Sequence, residues 1–233
     1  CTLHGNTTIK TGRTAMKCEK IGNAVLYNCK IEEILNKIPF VDALVTDPPY
    51  GINESNKQNL SRENKAKPKD YGCFDWDKEK INQDTINSLI LNSKYQIIFG
   101  GNYYVLPPTP CWLVWDKQNT GDFADCELAW TNLKMAVRRI YWRWNGMIRR
   151  GKDVRVHPTQ KPVGVMTWCI EKLPKETQTI FDPFMGSGTT GVAAHKMNKG
   201  FIGVEPNEQY FEKACERITE AQRQDDLFYA VGQ

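Results

Sequence analysis

Seven short apolar runs, separated in most cases by segments with a helical period, constrain this chain more than any other feature. "NAVLYN" (23–28), "VDALVT" (41–46), "YQIIFG" (95–100), "CWLVWD" (111–116), "RRIYWRW" (138–144), "QTIFD" (178–182) and "KGFIGVE" (199–205) read as strands. Helical patterns cover 30–38, 79–92, 162–173, 189–197 and 207–222, and Ile31, Ile34, Leu35 and Ile38 share one face of the first. Strands that alternate with helices need crossover connections, and crossovers produce a mostly parallel sheet covered on both faces. The expected architecture is therefore α/β, a doubly wound, mostly parallel seven-stranded sheet. The 233 residues suffice for one sizeable core and suggest one domain over 1–233.

Two stretches break the regularity. Residues 51–72 are polar, charged and without period, as expected of a functional lid or a disordered segment. Residues 145–156, "NGMIRRGKDVRV", form a short basic loop. The whole chain has a net charge of +4, yet residues 134–155 hold eight bases against the single acid Asp153. Tyr141, Trp142 and Trp144 lie among those bases. Such a stripe suits a phosphate backbone and unstacked bases, and equally a solvated strand with arginines facing water. No apolar run is long enough to span a bilayer, and no charged-then-apolar leader opens the chain. The first residue is Cys1 rather than Met, so the natural start need not be here. Eight cysteines without a C-x-x-C pair, and three histidines, argue against a zinc site and for reduced thiols in the cytosol.

The run ending at "VTDPPY" (45–50) stops abruptly, because proline cannot donate to a sheet ladder. Asp47 is left at the strand tip, followed by the stiff Pro48-Pro49 pair and the ring of Tyr50. A second strand runs into "FDPFMGSGTTG" (181–191). Gly186, Gly188 and Gly191 satisfy G-x-G-x-x-G, a small-residue helix follows, and Glu205 closes the next strand. That grouping is a nucleotide-type site at the carboxyl edge of a sheet. No lysine follows the last glycine as in a Walker loop, and Asp182 beside the turn suits a cationic ligand better than a pyrophosphate.

"DPPY" and "DPFMGSGTT", with "HPTQKP" (157–162) between them, resemble the S-adenosylmethionine-dependent amino-methyltransferases of DNA, which act on adenine N6 or cytosine N4. The order, DPPY first and glycine loop last, resembles the permuted beta group, and the likeness covers about 23–222. It implies a Rossmann-like methyltransferase sheet with one antiparallel strand, S-adenosylmethionine as cofactor and double-stranded DNA as partner. It also implies a cytoplasmic protein of bacterial, archaeal or phage origin, and a homodimer. By position, Asp47, Pro48, Pro49 and Tyr50 correspond to the catalytic platform. Asp47 and the Pro48 carbonyl would accept hydrogen bonds from the reacting amine, and Tyr50 would stack a flipped base. Asp182, Phe184, Gly186, Ser187, Gly188, Thr189 and Glu205, with Asp47 and Asn28, correspond to the cofactor contacts, and His157, Thr159 and Lys161 to the surroundings of its carboxylate. Asn28 stands where the family commonly has Asp. Arg149, Arg150, Lys152 and Arg155 of the short basic loop are expected to meet DNA, with a short or permissive target.

Asp47 in place of the Ser frequent among cytosine-N4 members favours adenine. Cytosine N4, RNA adenine, a nicotinamide-dependent dehydrogenase and a non-catalytic nucleic-acid binder are the alternatives. Cys111 follows a proline, as the nucleophile of a cytosine-C5 enzyme would, but reads as a strand-start cysteine. The terminal "QDDLF" (224–228) is similar to a peptide that docks on the bacterial sliding clamp through Gln224, Leu227 and Phe228. A tail folded back on the domain is the competing reading.

Overall fold

The computed structural model of the chain describes residues 9–11, 14–51, 80–119, 124–144 and 160–231. Among the described residues, ten strands form one sheet in the order β1-β2-β3-β10-β9-β4-β5-β7-β6-β8. They are β1 (Ile9–Thr11), β2 (Thr14–Ile21), β3 (Ala24–Asn28), β4 (Val41–Thr46), β5 (Ser93–Phe99), β6 (Trp112–Asp116), β7 (Cys126–Thr131), β8 (Arg138–Tyr141), β9 (Thr179–Asp182) and β10 (Gly200–Val204). All seven strands expected from the sequence are present, and all seven run in the same direction.

The expected count of seven is corrected to ten, and the expected single antiparallel strand to two. β2 runs against β3 across the two-residue turn Gly22-Asn23, and β7 runs against both β5 and β6. β1 hairpins onto β2 at the edge. β2 hides from a search for apolar runs because Lys17, Glu19 and Lys20 interrupt it, as befits a strand near a sheet edge.

The helices are α1 (Ile31–Ile34, continued by a 3-10 turn, Leu35–Lys37), α2 (Gln83–Leu91), α3 (Val163–Ile170), α4 (Thr189–Lys196) and α5 (Glu208–Val231). Alternation along the central strands sends successive side chains to opposite faces. Ala43 and Val45 of β4, with Ile97 and Phe99 of β5, pack beneath α3, α4 and α5 through Val165, Met166, Ala193, Phe211 and Ile218. Leu44 and Ile98 face the other way, onto Ile31 and Ile34 of α1 and Ile86 and Leu89 of α2. The sheet is thus doubly wound. Among the described residues, no helix is long and apolar enough to cross a membrane.

The basic strand β8 is an edge strand. Arg138, Arg139 and Tyr141 are exposed, whereas Trp142 lies over Gly164 and Trp144 enters the core. α5 runs on to Val231 and takes in 224–228, so this segment is helical and not the extended peptide that the clamp reading needs. The run Glu-Ala-Gln-Arg-Gln at 220–224 has high helix propensity and no breaker, so nothing stops the helix before that pentapeptide.

Candidate active site

The carboxyl ends of β4, β9 and β10 lie side by side, and each delivers one carboxylate: Asp47, Asp182 and Glu205. Their surroundings differ. Asp182 is buried and wholly occupied by its own fold. Its Oδ1 accepts from Thr46 Oγ1 at 2.7 Å and from the Phe184 amide at 3.1 Å, and its Oδ2 accepts from Thr190 Oγ1 at 2.6 Å. These bonds tie the tip of β4, the glycine loop and the first turn of α4 into one unit. Burial pushes the Asp182 carboxyl up to about 6 despite those donors. Asp182 was expected to face the cofactor; in the structure both its oxygens accept from Thr46 of β4, the Phe184 amide of the loop and Thr190 of α4.

Gly186 and Gly188 adopt left-handed backbone conformations, with φ of +50° and +78°. At Gly188 a side chain is excluded twice, because a Cβ there would sit 2.8 Å from Cβ of Ala214 on α5. The loop is also held from α5. Arg217 Nη1 donates to the Ser187 carbonyl at 2.6 Å, to Ser187 Oγ at 2.8 Å and to Thr189 Oγ1 at 3.1 Å. Phe184 packs half-buried against the α1/α2 side of the core. Glu205 is buried and accepts from the Asn207 amide at 2.8 Å and from the Gly186 amide, and burial raises its carboxyl to about 7. Asn28, expected near the cofactor, donates its amide to the Glu205 and Pro206 carbonyls at 2.8 and 3.2 Å and so braces the end of β10.

Asp47 faces a charged cluster. Lys161 Nζ donates to its Oδ2 at 2.6 Å and to Glu127 Oε2 at 2.9 Å, and Lys117 Nζ meets Glu127 Oε1 at 2.6 Å. The Lys161 ammonium also lies 4.5 Å from the ring centre of Phe99. Lys161 was expected beside the cofactor carboxylate; its partners here are Asp47 and Glu127. Burial acts against its charge, but the two carboxylates outweigh burial and hold its pKa above the ordinary lysine value. Burial drives Asp47 above the usual carboxylate range, with Lys161 pulling against it. Burial would raise Glu127 too, but Lys161 and Lys117 bring it down to about 2.

The prolines aim the backbone. The Pro49 carbonyl accepts from Tyr104 Oη at 2.6 Å and from the Ile81 amide at 3.4 Å. Among the described residues the Pro48 carbonyl has no such donor. Tyr50 donates its hydroxyl to Asp47 Oδ1, and burial raises that hydroxyl's pKa well above the ordinary value. Its ring lies against Gly100, whose φ of +62° and missing side chain make room for it, and stacks on Tyr103 at 4.8 Å and 20°. Cys111 is fully buried, with its amide on Thr109 Oγ1, and so presents no accessible nucleophile.

The structure therefore joins Asp47, Pro48, Pro49, Tyr50 and Lys161 to the 182–189 loop and Glu205. His157, Thr159, Arg149, Arg150, Lys152, Arg155 and the 52–72 part of the expected lid lie outside the described residues. Sequence reasoning missed Glu127, Lys117, Tyr103, Tyr104 and Arg217. Tyr103 and Tyr104 directly follow the "GGN" turn after β5, the one local signal that could have marked them.

A doubly wound sheet with an acid–proline–proline–tyrosine platform beside a glycine loop defines the class of group-transfer enzymes that act on an amine. The profile of the N6/N4 DNA methylase family matches residues 66–216, and the chain belongs to that family of DNA methyltransferases. It is 25% identical over 244 aligned residues to the type II methyltransferase M2.LlaDCHI of Lactococcus lactis subsp. cremoris, an alignment covering 84% of this chain and 89% of that one. A 77-residue stretch is 39% identical to the type II methyltransferase M2.DpnII of Streptococcus pneumoniae, covering 32% and 29% of the two chains. Among solved structures, the M1.HpyAVI–SAM complex matches with a TM-score of 0.53 at 24% identity, over 82% of this chain and 98% of that one. The PvuII DNA methyltransferase, cytosine-N4-specific, matches with a TM-score of 0.53 at 16% identity, over 85% and 87%. Both structural likenesses are likenesses of fold.

Proposed function

We propose that this chain transfers the methyl group of S-adenosylmethionine to N6 of adenine in double-stranded DNA. The observation that carries the reading is Asp47 at the tip of β4. Pro48 follows it directly in the chain, and Thr46, just before it, donates to Asp182 at the start of the glycine loop. An exocyclic amine is a weak nucleophile because its lone pair is delocalised into the ring. Asp47 and the Pro48 carbonyl accept its two N–H bonds and turn the lone pair out of the ring plane. Neither acceptor has to reorganise as the reaction proceeds, since both sit on a strand tip stiffened by two prolines. The flipped base enters beside the Tyr50–Tyr103 stack, where Tyr103 is exposed enough to receive it.

The 182–189 loop and Glu205 fit the cofactor. The loop's glycines permit close backbone approach, and the buried Glu205 carboxyl suits a ribose diol. When bound, S-adenosylmethionine supplies an electrophilic methyl on a sulfonium. Arg149, Arg150, Lys152 and Arg155 supply phosphate and base-edge contacts from the 145–156 segment.

Asp47 favours adenine over cytosine, in line with the family tendency for Ser at this position in cytosine-N4 members. Nucleoside mass spectrometry after incubating protein, cofactor and unmethylated DNA tests the reading. N6-methyladenine is the expected product. N4-methylcytosine instead would overturn the choice of base, and no methylated nucleoside at all would overturn the activity.

A further inference from the structure

We propose that Lys161 and Glu127 form a positioning relay that sets the orientation and hydrogen-bond accepting strength of Asp47. The inference rests on the reading of Asp47 as the amine acceptor and assigns the residues that make it one. A carboxylate at a strand tip is free to rotate, and an amine needs it fixed. Lys161 fixes it by holding Oδ2 at 2.6 Å, which leaves Oδ1, where the Tyr50 hydroxyl donates, for the base amine. Lys161 is a long side chain with many rotamers, so it needs anchoring in turn. Glu127 on β7 holds the same ammonium at 2.9 Å from the other side, Lys117 pins Glu127 at 2.6 Å, and the Phe99 ring lies 4.5 Å from the ammonium.

The charges explain why both partners are needed. Two carboxylates and two ammoniums make a set with no net charge, and Lys161 and Glu127 are mostly shielded from water. Lys161 paired with Asp47 alone would neutralise the acceptor. Shared with Glu127, it offsets part of the effect of burial on Asp47 yet leaves the carboxylate able to accept. The titratable groups that face Asp47 are Lys161 from the segment before α3, Glu127 from β7, Tyr50, Tyr104 beyond Pro49, and the buried Asp182 at the end of β9, with Lys117 one step further out. Of these, Lys161 favours the ionised form of Asp47 and Glu127 disfavours it. The two substitutions must therefore displace the acid limb of the pH–rate profile in opposite directions, which loss of folding or packing would not do.

The test is the pH dependence of kcat and of kcat/KM for methyl transfer to unmethylated DNA, read by nucleoside mass spectrometry. Lys161→Met is expected to lower kcat about a hundredfold and move the acid limb up by about one pH unit. Lys161→Arg should restore the position of the limb but only part of kcat, because the planar fork cannot bridge the two carboxylates in the same way. Glu127→Gln keeps the shape of the site; it should move the limb down and lower kcat about tenfold. Both Met and Gln variants should keep KM for S-adenosylmethionine within about twofold. If Lys161→Met does not fold, Lys117→Met at the outer end of the cluster replaces it, again with an upward shift. Unmoved limbs, shifts in the same direction, or a change confined to KM for the cofactor would overturn the relay. Asp47→Ala, run in parallel, separates the two readings. If it keeps turnover, the role of Asp47 itself fails. If it is inactive while the Lys161 and Glu127 variants keep the parent profile, only the relay fails.

Discussion

Gly188→Ala is the sharpest probe of the loop, because the structure separates its penalty into two parts. The backbone there has φ of +78°, and holding an alanine in that conformation costs about 1–2 kcal/mol. The added methyl would also sit 2.8 Å from Ala214 Cβ and 3.0 Å from Ala214 Cα. Ala214 is fully buried on α5, so the contact cannot be relieved by a side-chain rotation, and overpacking of this kind adds about 1–3 kcal/mol. The expected total is roughly 2–5 kcal/mol of lost stability. Ala214→Gly removes the nearer of the two atoms and by itself costs about 1 kcal/mol, the helix propensity difference. The double variant should therefore recover about 1 kcal/mol relative to additivity, while the φ penalty remains. Urea denaturation of the parent, both single variants and the double variant supplies the cycle, with the slope checked for constancy. A Gly188→Ala protein of parent stability would refute the strain argument. Strict additivity would show that α5 moves away freely and that the loop is not clamped against it.

Three further outcomes follow from the same geometry. Asp47→Ala should abolish methyl transfer yet leave the denaturation midpoint and cofactor affinity near the parent values, measured by nucleoside mass spectrometry and by calorimetric titration; near-parent turnover would sink the mechanism. Arg217→Ala removes three hydrogen bonds to the glycine loop and should raise KM for S-adenosylmethionine about tenfold with kcat at saturation little changed; an unaltered KM would show that the loop holds its shape unaided. Stability should fall between about pH 5 and pH 7.5, because burial raises Asp182 to about 6 and Glu205 to about 7, so the folded form binds these protons more tightly than the unfolded chain. That contribution is complete below the ordinary carboxylate range and is lost as pH rises through 6 to 7, each group accounting for at most about 3 kcal/mol, whereas Glu127, lowered to about 2, acts only at more acid pH. Urea midpoints across the window check the sign, and a midpoint that climbs from pH 5 to pH 7.5 would contradict it.

Most of the strands legible in the sequence are buried ones. β4, β5 and β9 lie in the middle of the sheet and are mostly apolar, and the exposed edge strand β8 was legible from its aromatic and β-branched residues. β2 and β7 were not legible for opposite reasons. β2 carries charges because it lies near an edge. β7, "CELAWT", begins with an exposed cysteine and spends its second position on Glu127, a residue placed for the charged cluster rather than for packing. The same contrast holds at the site. Asp47 and the glycine loop lie in contiguous motifs, and each motif has a local mechanical reason to exist. Glu127 and Arg217 reach the site from 34 residues before Lys161 and 30 residues after Ser187, and no local pattern marks them. Lys161 was found as part of a motif, but its partner was not, since a lysine's neighbours depend on which strand lies opposite.

The three carboxylates at the sheet edge divide the work more strictly than their sequence motifs suggest. A cationic cofactor beside three acids would seem to be held by charge alone, and Asp182, nearest the glycine turn, looked the natural counter-ion. Yet an acid whose two oxygens already take three donors has little left to give a ligand. Burial also favours its protonated form below about pH 6, which weakens it further as a counter-ion. Its bonds are architectural: through Thr46 it joins the end of the strand before Asp47, and through Thr190 the start of α4. On the reading proposed above, cofactor recognition then falls to Glu205 and the loop backbone, and charge at the reacting centre falls to Asp47, whose ionised form Lys161 favours while Glu127 anchors that lysine. Such a division lets the site hold a cation without a strong permanent negative field at the glycine turn. It also lets the charge on Asp47 be set by the Lys161–Glu127–Lys117 cluster.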